Sequence, residues 1–402
     1  MEKKLADIWQ TVLGIERVGI NDHYVALGGD SLKAVRIVSR LRQMNLVVTV
    51  ADVFRCQTIA GLIQHIESNG PSGALPENTG RESDETAFGM FDMKPVSDDA
   101  LNCFENLVAT VARWWRLDYE MMLSNTWNFS FRSGDLPEGS LSDRIELNRG
   151  DFWGLLKQYH RLEPKAYYDK PMAELKPLIH RELEARNPVA VNIDNYWCPW
   201  ENTGYQNIHF QHLCLVIGFS EKKRMYYCLD PSLSQTMEEL PAGHLEQGCN
   251  GIITFTRLGE DQQTPMDWRQ VVTSAVNRLK SGPSTAFSQM RVMADNLLKY
   301  FGPDLAALQS AENIAFTGIY QKLTEIIRGR RQFFKLLQYL AERFQVSHLE
   351  ELAARLRRVS FRWESVRANI LQNPKTRKRY SLKRLQYSGK SLMLRKIWRI
   401  PC

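Results

Sequence analysis

Three residues in the middle of the chain have the types that a cysteine acyl-transfer site needs. Cys103 lies near the start of a predicted helix, where the helix dipole favours a thiolate. His212 begins a predicted strand, HLCLVIGF, and Asp230 ends the next one, MYYCLDP. The short turn SEKK between them predicts antiparallel neighbours, so the carboxylate could orient the imidazole while its other nitrogen faces a thiol. The pattern predicts Cys103 as nucleophile, His212 as base and Asp230 as orienting residue.

Each of these residues also has a plain structural interpretation. A cysteine in a helix is often buried packing, a histidine at a strand start is often structural, and Asp-Pro after a strand is often a turn. Cys198 and Cys214 are the fallback nucleophiles. Cys214 lies two residues beyond His212 on the same face of a strand, which is more typical of a core residue.

A second chemical feature lies near the start of the chain, in the stretch LGGDSLKAV. Gly28 and Gly29 allow a sharp turn, Asp30 can cap a helix, and Leu32 opens its apolar face. Ser31 is therefore expected at an exposed helix start. An ordinary capped helix is the alternative for so short a pattern.

The surrounding residues, 2–68, predict four amphipathic helices with this serine after the long first loop. The arrangement resembles the thiolation (peptidyl carrier) domain of nonribosomal peptide synthetases. The resemblance implies that Ser31, flanked by Asp30 and Leu32, receives a 4′-phosphopantetheine arm from a separate phosphopantetheinyl transferase. It also implies partners such as adenylation and condensation domains or other synthetase proteins. A degenerate, unmodified carrier is the alternative.

The central stretch VNIDNYWCPWENTGYQNIHFQHLCLVIGFSEKKRMYYCLDPS is similar to the central motif of the butirosin biosynthesis protein H family. The matching residues are Asp194, Tyr196, Pro199, His209, His212, Gly218, Asp230 and Pro231, with Cys103 as the early cysteine. The resemblance implies an α+β, papain-like (cysteine peptidase-like) fold with an antiparallel sheet. It further implies transfer of an acyl group from a carrier-protein thioester to an amine.

One departure from that family concerns the residue before the cysteine. The family commonly has histidine there, whereas this chain has Asn102, which could donate a hydrogen bond to an oxyanion. His209 could bind substrate or simply face solvent, and Tyr196 is a further candidate for substrate contact. The pair of histidines in HFQH lacks a third close ligand, so no metal site is expected.

The chain divides into four predicted segments of different character. Residues 1–68 form the carrier domain, and 69–88, rich in Gly, Pro, Ser and acids, form a flexible linker. Residues 89–260 form the Cys-His-Asp domain, in which four short strands predict a largely antiparallel sheet. Residues 261–402 carry apolar residues at helical spacing and form a helical C-terminal domain with a basic tail.

Composition favours a multidomain protein of the cytoplasm. The chain has 402 residues, 44% of them apolar, and lacks the pattern of a signal peptide or a membrane span. Its seven cysteines include no CxxC pair. Residues 355–402 hold 15 Lys and Arg against the single acid Glu364. Such a tail could meet RNA or an anionic membrane surface, but without a nucleic-acid motif it is interpreted as a solvated helical end or a docking face for an acidic partner.

The two halves of the chain explain each other chemically. A carrier presents an acyl or aminoacyl thioester, and a Cys-His-Asp domain can accept the acyl group and pass it to an amine. The leading hypothesis is amide-forming acyl transfer in natural-product assembly, with no nucleic acid involved. The alternatives are a thioesterase or cyclase that releases the carrier-bound product, and a non-catalytic docking scaffold. Peptide cleavage needs the same triad but gives the carrier no purpose.

Overall fold

The structure is a computed structural model in which much of residues 1–371 is described. The described residues are 1–13, 17–24, 27, 34, 37–38, 40–41, 44, 46, 48, 52–53, 56–69, 87–89, 91–134, 139–148, 150–201, 204–207, 209–234, 236–281, 284–311, 314 and 317–371. None of the helices in this part of the chain has the length and apolar character needed to cross a membrane.

The helices are labelled in chain order. They are α1 (Glu2–Leu13), α2 (Ile59–Asn69), α3 (Cys103–Trp114), α4 (Leu141–Arg144), α5 (Phe152–His160), α6 (Met172–Glu184), α7 (Ala242–Gly248), α8 (Trp268–Lys280), α9 (Ala286–Asp295), α10 (Leu297–Tyr300), α11 (Gly302–Ser310), α12 (Gly318–Phe344) and α13 (Ser347–Leu371).

The strands are labelled in the same way. They are β1 (Ala87–Phe88), β2 (Ser130–Phe131), β3 (Ile145–Glu146), β4 (Leu162–Tyr168), β5 (Val189–Asp194), β6 (Gln211–Ser220), β7 (Met225–Leu229), β8 (Met237–Pro241) and β9 (Cys249–Arg257).

The N-terminal domain is helical, as predicted. Besides α1 and α2, the described residues 34, 37–38, 40–41, 52–53 and 56 are helical. Its core is apolar and centres on Trp9, which meets Tyr24 edge to face at 5.1 Å between ring centroids. The helical periodicity of the sequence therefore builds a small buried core of its own. Asp30, Ser31 and Leu32 lie outside the described residues.

The central region is built on an antiparallel sheet with the order β4-β9-β5-β6-β7-β8, and β1 also pairs with β6. The four predicted strands are confirmed as β5, β6, β7 and β9. Strand β4 contains Pro164 and lies at one edge, where a residue without an N–H costs no ladder bond. Strands β4 and β8 were not predicted, because their residues show weak alternation of apolar and polar side chains.

Helix α3 packs against strand β6, which brings the helix that begins at Cys103 onto the central strand of the sheet. One face of α3 is wholly apolar, with Leu107, Val108 and Val111 fully buried. By residue type alone, Asp98 or Asp99 in the stretch DDALNCFENLVATVARWW is a predicted cap of this helix. The helix begins later, at Cys103, because the Asn102 side chain accepts the hydrogen bond from the Glu105 N–H.

The C-terminal helices form a second compact unit with residues 120–152. Helices α12 and α13 pack along each other as an antiparallel hairpin, and Gln345 ends α12 in the left-handed conformation, with φ 53°. This grouping differs from the predicted segment 89–260, which assigned 120–152 to the central domain. The β2–β3 hairpin and the turn at 120–123 carry too little apolar surface for a core alone, and they pack on α9 and α12 instead.

Candidate active site

A buried ion pair between His212 and Asp230 lies at the end of two neighbouring strands. His212 Nε2 donates to Asp230 Oδ2 across 2.6 Å. The His212 side chain is 7% exposed and the Asp230 side chain is fully buried. The pairing of Leu215 with Leu229 between β6 and β7 carries both residues to the same end of the sheet. The turn between the strands thus brings these two predicted residues together.

The charge state of His212 is set by two opposing effects. Burial alone would lower the pKa of the imidazole, but the negative charge of Asp230, its hydrogen bond and the nearby Glu201 together raise that pKa above its ordinary value of 6.5. A raised pKa favours the imidazolium form. This form could stabilise a thiolate beside it. Nδ1 is the ring nitrogen that can exchange a proton with a thiol, because Nε2 faces Asp230.

Asp230 is held in place by more than the histidine. Its Oδ1 accepts the backbone N–H groups of Ser232 and Leu233, at 3.2 and 3.1 Å. Its Oδ2 also accepts the indole N–H of Trp200 at 2.8 Å. A buried carboxylate with this many donors is fixed in position and remains a good acceptor for the imidazole.

Trp200 and Glu201 are functional candidates that the sequence analysis missed. They follow the strand β5 in the stretch CPWE. They lie far from Asp230 in the sequence, so no local pattern predicted that they would come close to it. A tryptophan donates through a single N–H, so its partner becomes evident only when the chain is folded.

Cys103 is the first residue of α3 and is partly exposed. The free amides of the first turn and the helix dipole both favour negative charge at this position. Asn102 and Glu105 form a reciprocal capping box, with Asn102 N donating to Glu105 Oε2 and Glu105 N donating to Asn102 Oδ1, both at 2.8 Å. The observed contacts of Asn102 are those of a helix cap, and its predicted contact with an oxyanion stays a prediction.

The fallback cysteines are poorly placed for a nucleophile. Burial raises the pKa of Cys198, and the charges around it, including those of Asp230 and Glu201, raise it further. A hydrogen bond with Cys228, together with burial, raises the pKa of Cys214. Since the thiolate is the reactive form, both thiols are expected to be inert.

His209 and Tyr196 form a separate cluster with Asp194. His209 Nδ1 pairs with Asp194 Oδ2 at 2.6 Å, and the ring stacks on Tyr196 with 4.4 Å between centroids. The His209 side chain is 68% exposed. Asp194 pairs across the strands with Gln211, whereas His212 pairs with Ile193, so Asp194 and His212 project from opposite faces of the sheet.

The N-terminal domain is similar to known proteins. Residues 3–66 match the family model of the phosphopantetheine attachment site. Residues in this region are similar to one of the linear gramicidin synthase proteins of Brevibacillus parabrevis, with 38% identity over 96 residues. They are also similar to gramicidin S synthase 1 of Brevibacillus brevis, with 42% identity over 69 residues, and to surfactin synthase subunit 2 of Bacillus subtilis (strain 168), with 45% identity over 67 residues.

These similarities cover a small part of each protein. The three matches span 24%, 17% and 17% of this chain and 1%, 6% and 2% of the relatives. They establish the domain type at the N-terminus, a carrier domain whose covalently attached cofactor is 4′-phosphopantetheine. A serine hydroxyl is the group that can form the phosphodiester bond to this cofactor, and the helical core around Trp9 fits the expected four-helix carrier.

Proposed function

We propose that the chain acts in the assembly of nonribosomal-peptide-type natural products and that its central domain is a papain-like, cysteine-dependent acyltransferase. The observation that carries the proposal is the buried His212–Asp230 ion pair at the end of two strands, one of which, β6, packs against the helix that begins at Cys103. The carrier domain on the same chain supplies the chemical context.

The first half of the proposed reaction loads the acyl group onto the enzyme. His212 Nδ1 takes the proton of the Cys103 thiol, while Asp230 holds the Nε2–H and stabilises the imidazolium. The Cys103 thiolate attacks the carbonyl carbon of an acyl thioester. The carbon–sulfur bond of the substrate breaks, the departing thiol takes the proton from His212, and the acyl group stays on Cys103.

The second half releases the acyl group as an amide. An amine attacks the carbonyl carbon of the acyl-enzyme, and His212 removes the proton from the amine nitrogen. The bond between the carbonyl carbon and Cys103 breaks, and the imidazolium returns its proton to the thiolate. Water in place of the amine would make the domain a thioesterase, and an amine within the acyl chain would make it a cyclase.

The cofactor would bring the substrate to this site. When bound to Ser31, phosphopantetheine supplies a terminal thiol that holds acyl groups as thioesters. The carrier segment and the cysteine domain share one chain, so the local concentration of substrate at Cys103 is high. We expect a phosphopantetheinyl transferase and synthetase modules such as adenylation or condensation domains as partners.

Intact-protein mass spectrometry tests this function. A broad-specificity phosphopantetheinyl transferase loads the full chain from an aminoacyl-coenzyme A donor, with adenosine 3′,5′-bisphosphate as the leaving group. The acyl mass is then followed in time with and without an added amine. We expect the wild type to lose the acyl mass and Cys103→Ala to retain it. Amide in the released product indicates transfer, and free acid indicates hydrolysis.

Two control variants sharpen the test. Ser31→Ala removes the attachment hydroxyl and should acquire no acyl mass. Cys198→Ala removes a buried thiol whose pKa is raised, so it should transfer at the rate of the wild type. Equal loss of acyl mass by Cys103→Ala and the wild type would rule out Cys103 as the nucleophile. Equal retention by both with several acyl groups and amines would favour a docking scaffold.

A further inference from the structure

Arg330 is a buried positive charge in the middle of helix α12. Its side chain is 1% exposed, and among the described residues it has no acidic partner. Its neighbours on the helix differ: Arg328 pairs with Glu325, and Arg331 pairs with Glu364 of α13. A buried arginine without a counter-charge is rare, because desolvation of the ion is left uncompensated.

The hydrogen bonds of Arg330 use one corner of its guanidinium group. Nη1 donates to the peptide oxygens of Ile326 and Asn128, at 3.1 and 3.4 Å. Nε and Nη2 are buried, and no residue in the described part of the chain accepts a hydrogen bond from them. The Trp363 ring lies 5.5 Å from Cζ and offers its π face, but a ring face does not accept the two in-plane N–H groups.

The unpartnered atoms form the edge of the guanidinium that binds planar anions. Nε–H and one Nη2–H point in parallel, which matches the two oxygens of a carboxylate or a phosphate group. A water molecule could accept these hydrogen bonds but would leave the charge unbalanced. Although burial lowers the pKa of Arg330 to about 9, the side chain is still cationic at pH 7.

Asn128 provides a second unsatisfied group in the same neighbourhood. Its Nδ2 donates to the peptide oxygens of Asn125 and Asn148, which fixes the orientation of the amide. Its Oδ1 is then the remaining polar atom, and it is buried with no donor from any residue that the structure describes. An ionised carboxylate has no hydrogen to donate to this oxygen, so the donor edge of Arg330, not Asn128 Oδ1, defines the anion site.

We propose that the helical unit, which is the compact unit of residues 120–152 and the C-terminal helices, binds one carboxylate or phosphate group through Nε and Nη2 of Arg330. This site is formed by residues of the helical unit alone and does not depend on the function proposed for Cys103. The ligand carries the counter-charge that the described residues do not supply, and it ties α12 to the segment around Asn128.

Two measurements on the full chain test the site. Desalted protein in chloride buffer is denatured, and the filtrate is analysed by ion chromatography and mass spectrometry for about one carboxylate or phosphate compound per chain. In parallel, thermal unfolding is followed with inorganic phosphate or acetate against sodium chloride of equal ionic strength. A bound anion at saturating concentration should raise Tm by about 5 °C.

The variants assign any effect to Arg330. Arg330→Met keeps an unbranched apolar stem but removes the guanidinium group, and it should lose both the released anion and the shift in Tm. Arg331→Met removes a neighbouring, ion-paired arginine and should keep both. If Arg330→Met does not fold, Arg330→Lys keeps the charge without the bidentate edge and should need about tenfold more anion.

Several outcomes would overturn the proposal. One is a filtrate without such an anion together with no rise in Tm from either probe. Another is an equal release or shift in Arg330→Met and the wild type, which would place the anion elsewhere. A third is a higher Tm for Arg330→Met in chloride buffer, since that is expected when a buried charge has no partner. A phosphate response without an acetate response, or the reverse, identifies the group bound.

Discussion

Two histidine–aspartate pairs in the central region have the same contact distance and opposite surroundings. His212–Asp230 and His209–Asp194 are both joined across 2.6 Å. The first pair is buried, whereas 68% of the His209 side chain is exposed. Asp230 also accepts hydrogen bonds from Trp200 and two backbone amides, while Asp194 also accepts the Tyr196 N–H.

A short histidine–aspartate contact therefore does not by itself identify a catalytic base. In water the two charges of an exposed pair are screened, and the pair contributes little. In the buried pair the same contact overcomes desolvation and shifts the pKa of His212. Surrounding donors and exclusion of water therefore separate the proposed catalytic pair from the one beside it.

The largest effect is expected when asparagine replaces Asp230, and the same replacement of Asp194 is the matched control. Asp230→Asn removes the charge that stabilises the imidazolium, and single-turnover acyl transfer should slow by about 10²- to 10⁴-fold. Asp194→Asn should slow it by less than about threefold, because it affects an exposed pair. Acyl mass on the intact chain, followed in time, measures both rates. Similar losses in the two variants would abolish the distinction between the pairs.

A smaller loss is expected for Trp200→Phe, which removes the indole N–H that donates to Asp230. Acyl transfer should slow about tenfold with little change in the KM for the amine, since a hydrogen bond to a charged group is lost away from the substrate. The matched control is Trp197→Phe, which should react at the wild-type rate.

A double variant checks how Trp200 acts. If it acts through Asp230, Trp200→Phe should have almost no further effect in an Asp230→Asn background. Additive losses would instead indicate a separate role for the indole ring.

The stability of the buried pair should depend on pH. The pKa of His212 is raised in the folded state. The contribution of the His212–Asp230 pair to the free energy of unfolding is therefore fully present below about pH 6.5 and is lost as pH rises through the folded pKa. The difference in free energy of unfolding between the wild type and His212→Gln should therefore stay constant below about pH 6.5 and shrink as pH rises through the folded pKa. Denaturant titrations at several pH values measure it, and a difference that grows with pH would contradict the predicted sign.

The smallest effect is expected for the exposed pair. His209→Ala removes a surface ion pair and a ring stacked on Tyr196, and the free energy of unfolding should fall by about 0.5–1 kcal/mol. Acyl transfer should stay within about twofold of the wild-type rate. A loss of transfer without a loss of stability would show that His209 contacts the substrate.

Much of the central fold could be predicted because its strands are strongly patterned. The residues of β5 and β6 are β-branched, aromatic or apolar and are bounded by turn residues, and the turn at 221–224 made antiparallel pairing of β6 and β7 the expected arrangement. That arrangement was enough to place His212 beside Asp230. Strands β4 and β8 lie at the edges, where burial imposes a weaker pattern.

Other features depend on residues far apart in the chain. Nothing in the sequence near Trp200 indicated that its N–H would reach Asp230, and nothing near residues 120–152 indicated that they would join the C-terminal helices. Such contacts are decided by how elements pack, so local patterns carry no signal for them.

The sequence by itself determined the type of the N-terminal domain and the residues able to do chemistry, because turns, caps and apolar periodicity are local properties. Only the tertiary structure decided which histidine is buried against a carboxylate, which cysteines are too buried to ionise, and where Arg330 lies without an acidic partner among the described residues. These properties depend on exclusion of water, and exclusion of water arises only when distant segments pack together.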